Sequence, residues 1–401
     1  MYDVPLTLGV EEEYQIIDPE TRRLTSYVQQ MIDRGRVVLG DKVRPEFMQS
    51  QIEVGSKICN NVKEVREELA HLRRNVAAVA GEYGRVICAA STHPFSSWRE
   101  QDISTGERYK ILEENMQEVG RRLLVFGTHV HVGFGTEPPA LDLLIDVMNQ
   151  VRYFLPHLLA LTTSSPFWHG RDTGLKSYRS IVFESLPRTG IPPVFTSFRD
   201  YREFVDLLGR TGFLGFREDG KVDHTKIWWD ARPHQSYGTL EIRVTDMCTT
   251  IDEAVCVAAL VQAIVAKLLR LRRENRSWRV YRSELIAENK WFAVRYGLDG
   301  RMLDFGRSST VGLGELTLEL LNDLAEEIDE LGIRPEVEHV HVILARGTSA
   351  DRQLAVFRAA LEERATPREA LFAVVDHLIA ETMTGVAQEA GKADGGCVTA
   401  L

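Results

Sequence analysis

The chain has 401 residues, 44% of them hydrophobic and 26% charged, an ordinary globular balance that can bury a core large enough to support a preorganised site. A formal net charge of -10 and a pI near 5.7 exclude broad nucleic-acid binding unless charge is strongly segregated, because phosphate backbones are repelled. Cys59, Cys88, Cys248, Cys256 and Cys397 are scattered, odd in number and without a CxxC pair, which argues for a reducing compartment and against a thiolate zinc site.

The opening MYDVPLTLGVEEEY has neither a basic start nor an apolar export segment, so a cytoplasmic location is expected. A strand is predicted at 6–17, where Leu8, Val10, Tyr14 and Ile16 share one face and Glu11, Glu13 and Gln15 the other. A second, at 47–54, sets Met48, Ile52 and Val54 against Gln49, Gln51 and Glu53. Helical periodicity follows at 62–83, a short strand at 85–91, a turn at Thr92-His93-Pro94 and a helix at 107–121. In the strand predicted at 125–135, Val130, Val132 and Phe134 oppose His129, His131 and Gly133. A helix at 140–161 leads to two segments, 170–180 and 227–234, that mix Arg, Asp, Gly and aromatics as loops around anionic ligands do.

Short strands are read at 225–230 and 239–245, the latter with Leu240, Ile242 and Val244 opposite Thr239, Glu241, Arg243 and Thr245. The helix at 251–273 carries an apolar run, 254–269, that Gln262 and Lys267 interrupt and that is too short for a membrane span; it reads as a buried helix. The basic stretch Arg270 to Arg282 reads as the solvated end of that helix rather than a nucleic-acid patch. Further helices are predicted at 315–331, 350–363 and 367–389, with Thr348 or Ser349 capping the second. His339 and His341 lack matching carboxylates beyond Glu336 and Glu338 and read as structural. With no internal repeat and no linker, a single domain over 1–385 and a C-terminal tail over 386–401 are expected.

Strict alternation is the habit of antiparallel strands with one solvated or site-facing side, so the fold class is read as α+β, helices packing on one face of a mostly antiparallel sheet. Taken singly, a strand with outward Glu is usually a wet sheet face, and a lone His-x-His is usually decoration. Four strands of one design are harder to read that way. On one sheet they would gather Glu11, Glu13, Glu53, His129, His131 and Glu241 beside Arg243. Crowded carboxylates require cations, and carboxylate-rich sites suit Mg²⁺ or Mn²⁺ better than zinc. There is no GxxxxGK[ST] and no GxGxxG, so any nucleotide would be held in another way.

GVEEEYQI, QSQIEVGS, GTHVHVGF, SPFWHGRDTGLKSYR, WWDARPHQSYGTLEIRVTD, ENKWFAVRYGLDG and GTSADRQ, in this order over roughly 5 to 385, resemble the type 2 glutamate–cysteine ligase family, particularly its carboxylate–amine ligase branch. The resemblance implies a saddle-like sheet of the glutamine synthetase type with the site on its concave face. It implies ATP and Mg²⁺ (or Mn²⁺) as cofactors, small-molecule carboxylate and amine substrates, no nucleic-acid or membrane partner, and a homo-oligomer, a dimer by analogy. It places Glu11, Glu13, Glu53, His129 and Glu241 at metal positions, with Glu46 a possible addition whose strand parity differs from that of Glu53. Arg179, Arg232 and Arg243 become candidates for binding phosphate or carboxylate, with Glu53, Arg179 and Arg243 catalytic. His131 is placed at metal or substrate; Asn289 and Arg295 fall in a matched motif without an assigned role. The expected reaction is amide formation through an acyl phosphate, most simply glutamate plus cysteine giving γ-glutamylcysteine. A metal-dependent amide hydrolase on the same residues, and a non-catalytic nucleotide or metabolite sensor, remain as alternatives.

Overall fold

The protein is described from a computed structural model that covers residues 4–216 and 220–386. The first half of the chain contains β1 (Leu8–Ile17), α1 (Val28–Leu39), β2 (Val43–Pro45), β3 (Gln51–Gly55), α2 (Val62–Glu82), β4 (Val86–Cys88), α3 (Glu107–Arg121), β5 (Thr128–Gly133), α4 (Pro138–Val151) and α5 (Leu155–Thr162). Next come β6 (Phe167–Trp168), β7 (Arg171–Asp172), α6 (Tyr178–Glu184), β8 (Thr189–Gly190), α7 (Phe198–Arg210), β9 (Trp228–Trp229), β10 (Ala231–His234) and β11 (Thr239–Ile242). The remainder is mostly helical: α8 (Ile251–Arg273), α9 (Ser283–Tyr296), the hairpin β12 (Arg301–Asp304) and β13 (Ser309–Gly312), then α10 (Leu313–Asp323), α11 (Ala325–Leu331), α12 (Arg334–Val337), α13 (His339–Arg346), α14 (Ser349–Glu362) and α15 (Pro367–Thr382).

A 7-stranded sheet runs in the order β10-β11-β5-β1-β3-β2, with β4 also pairing β1, and every pairing in it is antiparallel. The α+β reading is correct. Register turns the alternation in the sequence into two faces. Glu11 lies opposite His129 and Gly55, Glu13 opposite Glu53, and Glu241 opposite both His131 and Arg232. The reverse face is apolar. Leu8, Val10, Val130, Val132, Leu240 and Ile242 enter one core with α2, α4 and α8; Tyr14, Ile16, Ile52 and Val54 enter another with α1 and α15.

The sheet is strongly curved. Arg44 on β2 comes up against the side chain of Tyr237, which sits in the β10–β11 turn. These are opposite edges of a sheet whose flat form would hold them roughly 24 Å apart at the usual strand spacing. Their meeting makes the polar face concave.

α8 is apolar nearly all round and is therefore a core helix, closed at its start by a capping box between Thr250 and Glu253. Among the described residues it is the one helix long and apolar enough to cross a membrane, and 83% of its apolar window is buried inside the protein. Arg270, at the head of the basic stretch, is spent on Glu274, Glu326 and Glu327. Thr348 caps α14, as expected.

Other expectations shift. The helix read at 140–161 is two, α4 and α5, joined by a tighter turn at Arg152–Phe154; Pro156 has no N–H to donate and fits the first turn of a new helix. The strand read at 47–54 begins only at Gln51. Of the strand read at 225–230, only Trp228–Trp229 is extended. α1, α7 and α9 lie where no periodicity was marked; α9 hides its stripe because Asn289 and Lys290 are among its buried residues. The expected C-terminal tail lies outside the described residues beyond Val386.

Candidate active site on the concave face

The four strands read from alternation do share one sheet, and their polar residues form two adjoining groups. The first is Glu11, His129 and Glu241, whose ligand atoms all lie within 4.8 Å of one another. Glu11 is 3.3 Å from His129 Nδ1 and 3.7 Å from His131 Nε2, which is itself 3.9 Å from Glu241. Burial pushes the Glu11 carboxyl up, but the hydrogen bond to His129 and the charges of His129 and His131 outweigh it and hold the group well below the usual range. Glu241 is fully buried, and there Arg232, Arg243 and His131 prevail over burial in the same direction. His129 is driven down to about 4 by burial and by Arg243, so it stands neutral, with a lone pair to offer. His131 is raised, because Glu241 and Glu11 outweigh its burial.

The second group is Glu13, Glu53 and Glu46. Glu13 accepts the Gly127 N–H at 2.8 Å, yet burial and the nearby Glu46 push it up to about 8 against Arg179 and Arg243. Glu53 is raised well above its ordinary value by burial and by Glu11, Glu46 and Glu13, with only Arg44, 3.8 Å away, opposing them. The parity objection to Glu46 therefore falls: residues 46–50 are not extended strand, so alternation does not apply to them.

The two groups make different demands. Glu11, His129 and Glu241 have the tightest ligand geometry, but His, Arg232 and Arg243 already balance their charge. Glu13 and Glu53, with Glu46 beside them, are carboxyls whose ionisation burial and mutual crowding disfavour, and which Arg44, Arg179 and Arg243 only partly offset. A divalent cation fits both, and three buried polar atoms on this face, His129 Nε2, His131 Nε2 and Arg243 Nε, have no hydrogen-bond partner.

The arginines separate by role. Arg232 has four of its five donors committed: Nε and Nη2 bind Glu241 at 2.6 and 3.3 Å, and Nη1 binds the carbonyls of Thr225 and Ile227, each at 2.7 Å. It orients Glu241. Arg243 also donates to Glu241 and lies 3.4 Å from His129 Nδ1. Arg179 reaches in from α6 and donates to the Arg243 carbonyl at 3.2 Å. Asn289 and Arg295 are not brought to this face by any hydrogen bond they make: the Asn289 amide pairs with the Leu303 backbone in both directions, and Arg295 donates to the Gly174 carbonyl. Their helix acts as a buttress, since Lys176 and Ser177 donate backbone N–H bonds to Val294 and Lys290 binds Asp230 and Glu184, each at 2.6 Å.

Several residues of the site are not marked by strand alternation. Asp246, fully buried, accepts from Ser164 N at 2.9 Å and from the hydroxyls of Ser165 and Ser177 at 2.8 Å each; Ser165 Oγ in turn accepts the Arg179 N–H at 3.1 Å. That clamp seats Arg179. Gly127 is another: a Cβ there would lie 2.6 Å from Arg179 Nη2 and 2.9 Å from His129 Nε2. Gly127→Ala should therefore displace both groups and lower turnover on the order of 100-fold, as misplacement of reacting groups does. Circular dichroism should show the melting temperature nearly unchanged; wild-type kinetics would remove Gly127 from the site.

The description Glutamate-cysteine ligase family 2 matches this chain over residues 7–377. A relative from Herpetosiphon aurantiacus, carried under the provisional name glutamate–cysteine ligase 2, is 48% identical over 382 residues, 95% of this chain and 94% of that protein. One from Roseiflexus castenholzii with the same name is 49% identical, covering 96% of each. In fold, the chain is similar to glutamate–cysteine ligase from Francisella tularensis solved with AMP, with a TM-score of 0.65, 12% identity and coverage of 96% of this chain and 94% of that one. It is also similar to a bifunctional glutathione synthetase from Pasteurella multocida, with a TM-score of 0.62 and 15% identity, over 94% of this chain and 52% of the other. The sheet, its carboxylate-lined face and a match over nearly the whole length agree: the chain belongs to glutamate–cysteine ligase family 2, enzymes that form C–N bonds.

Proposed function

We propose that this enzyme joins the γ-carboxylate of glutamate to the amine of cysteine, or a related amine, using ATP and Mg²⁺ or Mn²⁺. The observation that carries the reading is the crowding of Glu13, Glu53 and Glu46 beside Arg179, on the same face as Glu11, His129 and Glu241. Such a surface is suited to cations that themselves hold polyphosphate. The AMP in the related Francisella ligase supports nucleotide use.

A carboxylate is a poor acyl donor because oxide would have to leave. Transfer of the ATP γ-phosphoryl group to a carboxylate oxygen gives an acyl phosphate and ADP. The amine nitrogen then forms the C–N bond as the C–O bond to phosphate breaks, and the nitrogen loses a proton. Bound divalent cations supply charge neutralisation between the two anions. Glu11, Glu13, Glu53, Glu241 and His129 would hold them, with Glu46 and His131 at their margins. Arg179 and Arg243 lie where charge on the transferred group would be stabilised. No side-chain nucleophile is needed. The four cysteines among the described residues are buried and unpaired, which supports a cytoplasmic setting as part of the proposal.

The test is incubation with ATP, Mg²⁺, glutamate and a panel of amines including cysteine, followed by mass spectrometry. ADP appearing in step with a γ-glutamyl amide is the expected result. Metal binding without ATP consumption on any pair would reject the ligase and make amide hydrolysis the next assay.

A further inference from the structure

The acid substrate must approach a face crowded with carboxylates, so its charge has to be met by a cation with donors to spare. Of the arginines around the face, Arg232 and Arg243 are bound to Glu241, and Arg179 is buried against the Arg243 carbonyl. Arg44 differs. Its register opposite Glu53 points it to the concave side, and its side chain is 49% exposed. Its nearest carboxylate, Glu53, is 3.8 Å away, beyond hydrogen-bond distance, and its other neighbour on this face is the side chain of Tyr237.

Tyr237 meets this cation from the other edge of the sheet. Its ring stacks on His234 at 4.1 Å with an interplanar angle of 11°, and lies 6.4 Å from the His131 ring, which adjoins Glu11 and Glu241. Tyr237 is itself 54% exposed, so the pair forms an open rim beside the carboxylates rather than part of the core. A guanidinium with uncommitted N–H groups beside a cation-binding face is a fork for an oxyanion.

We propose that Arg44, flanked by Tyr237, is a specificity-determining residue that receives the carboxylate of the acid substrate that does not react. The assignment rests on the ligase reading above and names which part of the acid is recognised. The other carboxylate would then be directed towards the cation-binding groups and Arg179.

The experiment compares L-glutamate with 4-aminobutyrate, which keeps the reacting carboxylate and lacks the other one, in wild type, Arg44→Gln and Tyr237→Phe. Both substituted positions are largely solvent-exposed, and circular dichroism checks folding. Arg44→Gln should lower kcat/KM for glutamate on the order of 10- to 100-fold, the range for a hydrogen bond to a charged group, and leave 4-aminobutyrate unchanged. Tyr237→Phe should raise the KM for glutamate by a smaller factor with kcat unaffected. An equal fall for both acids, or no fall for glutamate, overturns the assignment. If the wild type turns over neither acid, the ligase reading fails on its own, and calorimetric titration of the two acids then decides Arg44: a preference for glutamate lost in Arg44→Gln keeps the assignment, and no such loss ends it.

Discussion

Arg73→Met should reduce the unfolding free energy by about 3–5 kcal/mol, the cost of leaving one partner of a buried ion pair alone. Arg73 and Glu12 are both fully buried, 2.5 Å apart, on the helix side of the sheet. Tyr14 donates to the same carboxylate, and Arg73 also binds the carbonyls of Thr249 at 2.6 Å and Thr382 at 2.9 Å. This knot joins β1, α2, the entry to α8 and the end of α15. A companion double variant, Glu12→Leu with Arg73→Met, should regain only part of the loss. It removes the orphaned charge but leaves the two carbonyls without a donor, at about 1–3 kcal/mol each. Chemical denaturation of the two single variants and the double variant gives the coupling directly. A loss below about 1 kcal/mol for Arg73→Met would show that the pair contributes little. The consequence reaches the site, because Glu12 lies between Glu11 and Glu13. Anchoring it behind the sheet forces its neighbours forward, whereas a one-residue slip would reverse every one of them.

Glu11→Gln should lower cation-dependent turnover by on the order of 10²–10³, the usual cost of removing one preorganised electrostatic group, with little change in melting temperature. The amide preserves shape but removes the charge that His129 and His131 face. Glu241→Gln should lose as much activity and also melt earlier, because Arg232 and Arg243 would then confront a neutral group in a buried setting. Mn²⁺ titration followed by electron paramagnetic resonance should show weakened binding in both. Wild-type activity and Mn²⁺ affinity in both variants would remove the metal role from this face.

Much of the concave face was legible before any coordinates. Period-two alternation in β1, β3, β5 and β11 separated Glu11, Glu13, Glu53, His129, His131 and Glu241 from their apolar neighbours, and antiparallel register then placed them together. Where the backbone is not extended, the same rule failed. Residue 46 lies beyond the start of β3, so its parity carried no information. Glu12 passed unnoticed because alternation assigns it to the apolar side, where a charge is acceptable only if a distant partner, here Arg73, arrives to meet it.

The local pattern of the chain thus determined the class of fold, the polar and apolar faces of four strands, the core helix at Ile251–Arg273 and the cap at Thr348. These depend on neighbours one to four residues apart, which a sequence displays directly. Tertiary structure alone decided that Arg232 orients Glu241, that Asp246 seats Arg179, that Gly127 must lack a side chain, and that Arg44 meets Tyr237 from the far edge of the sheet. Each of these depends on groups brought together by the curvature of the sheet and the return of loops across it, distances that no spacing along the chain encodes.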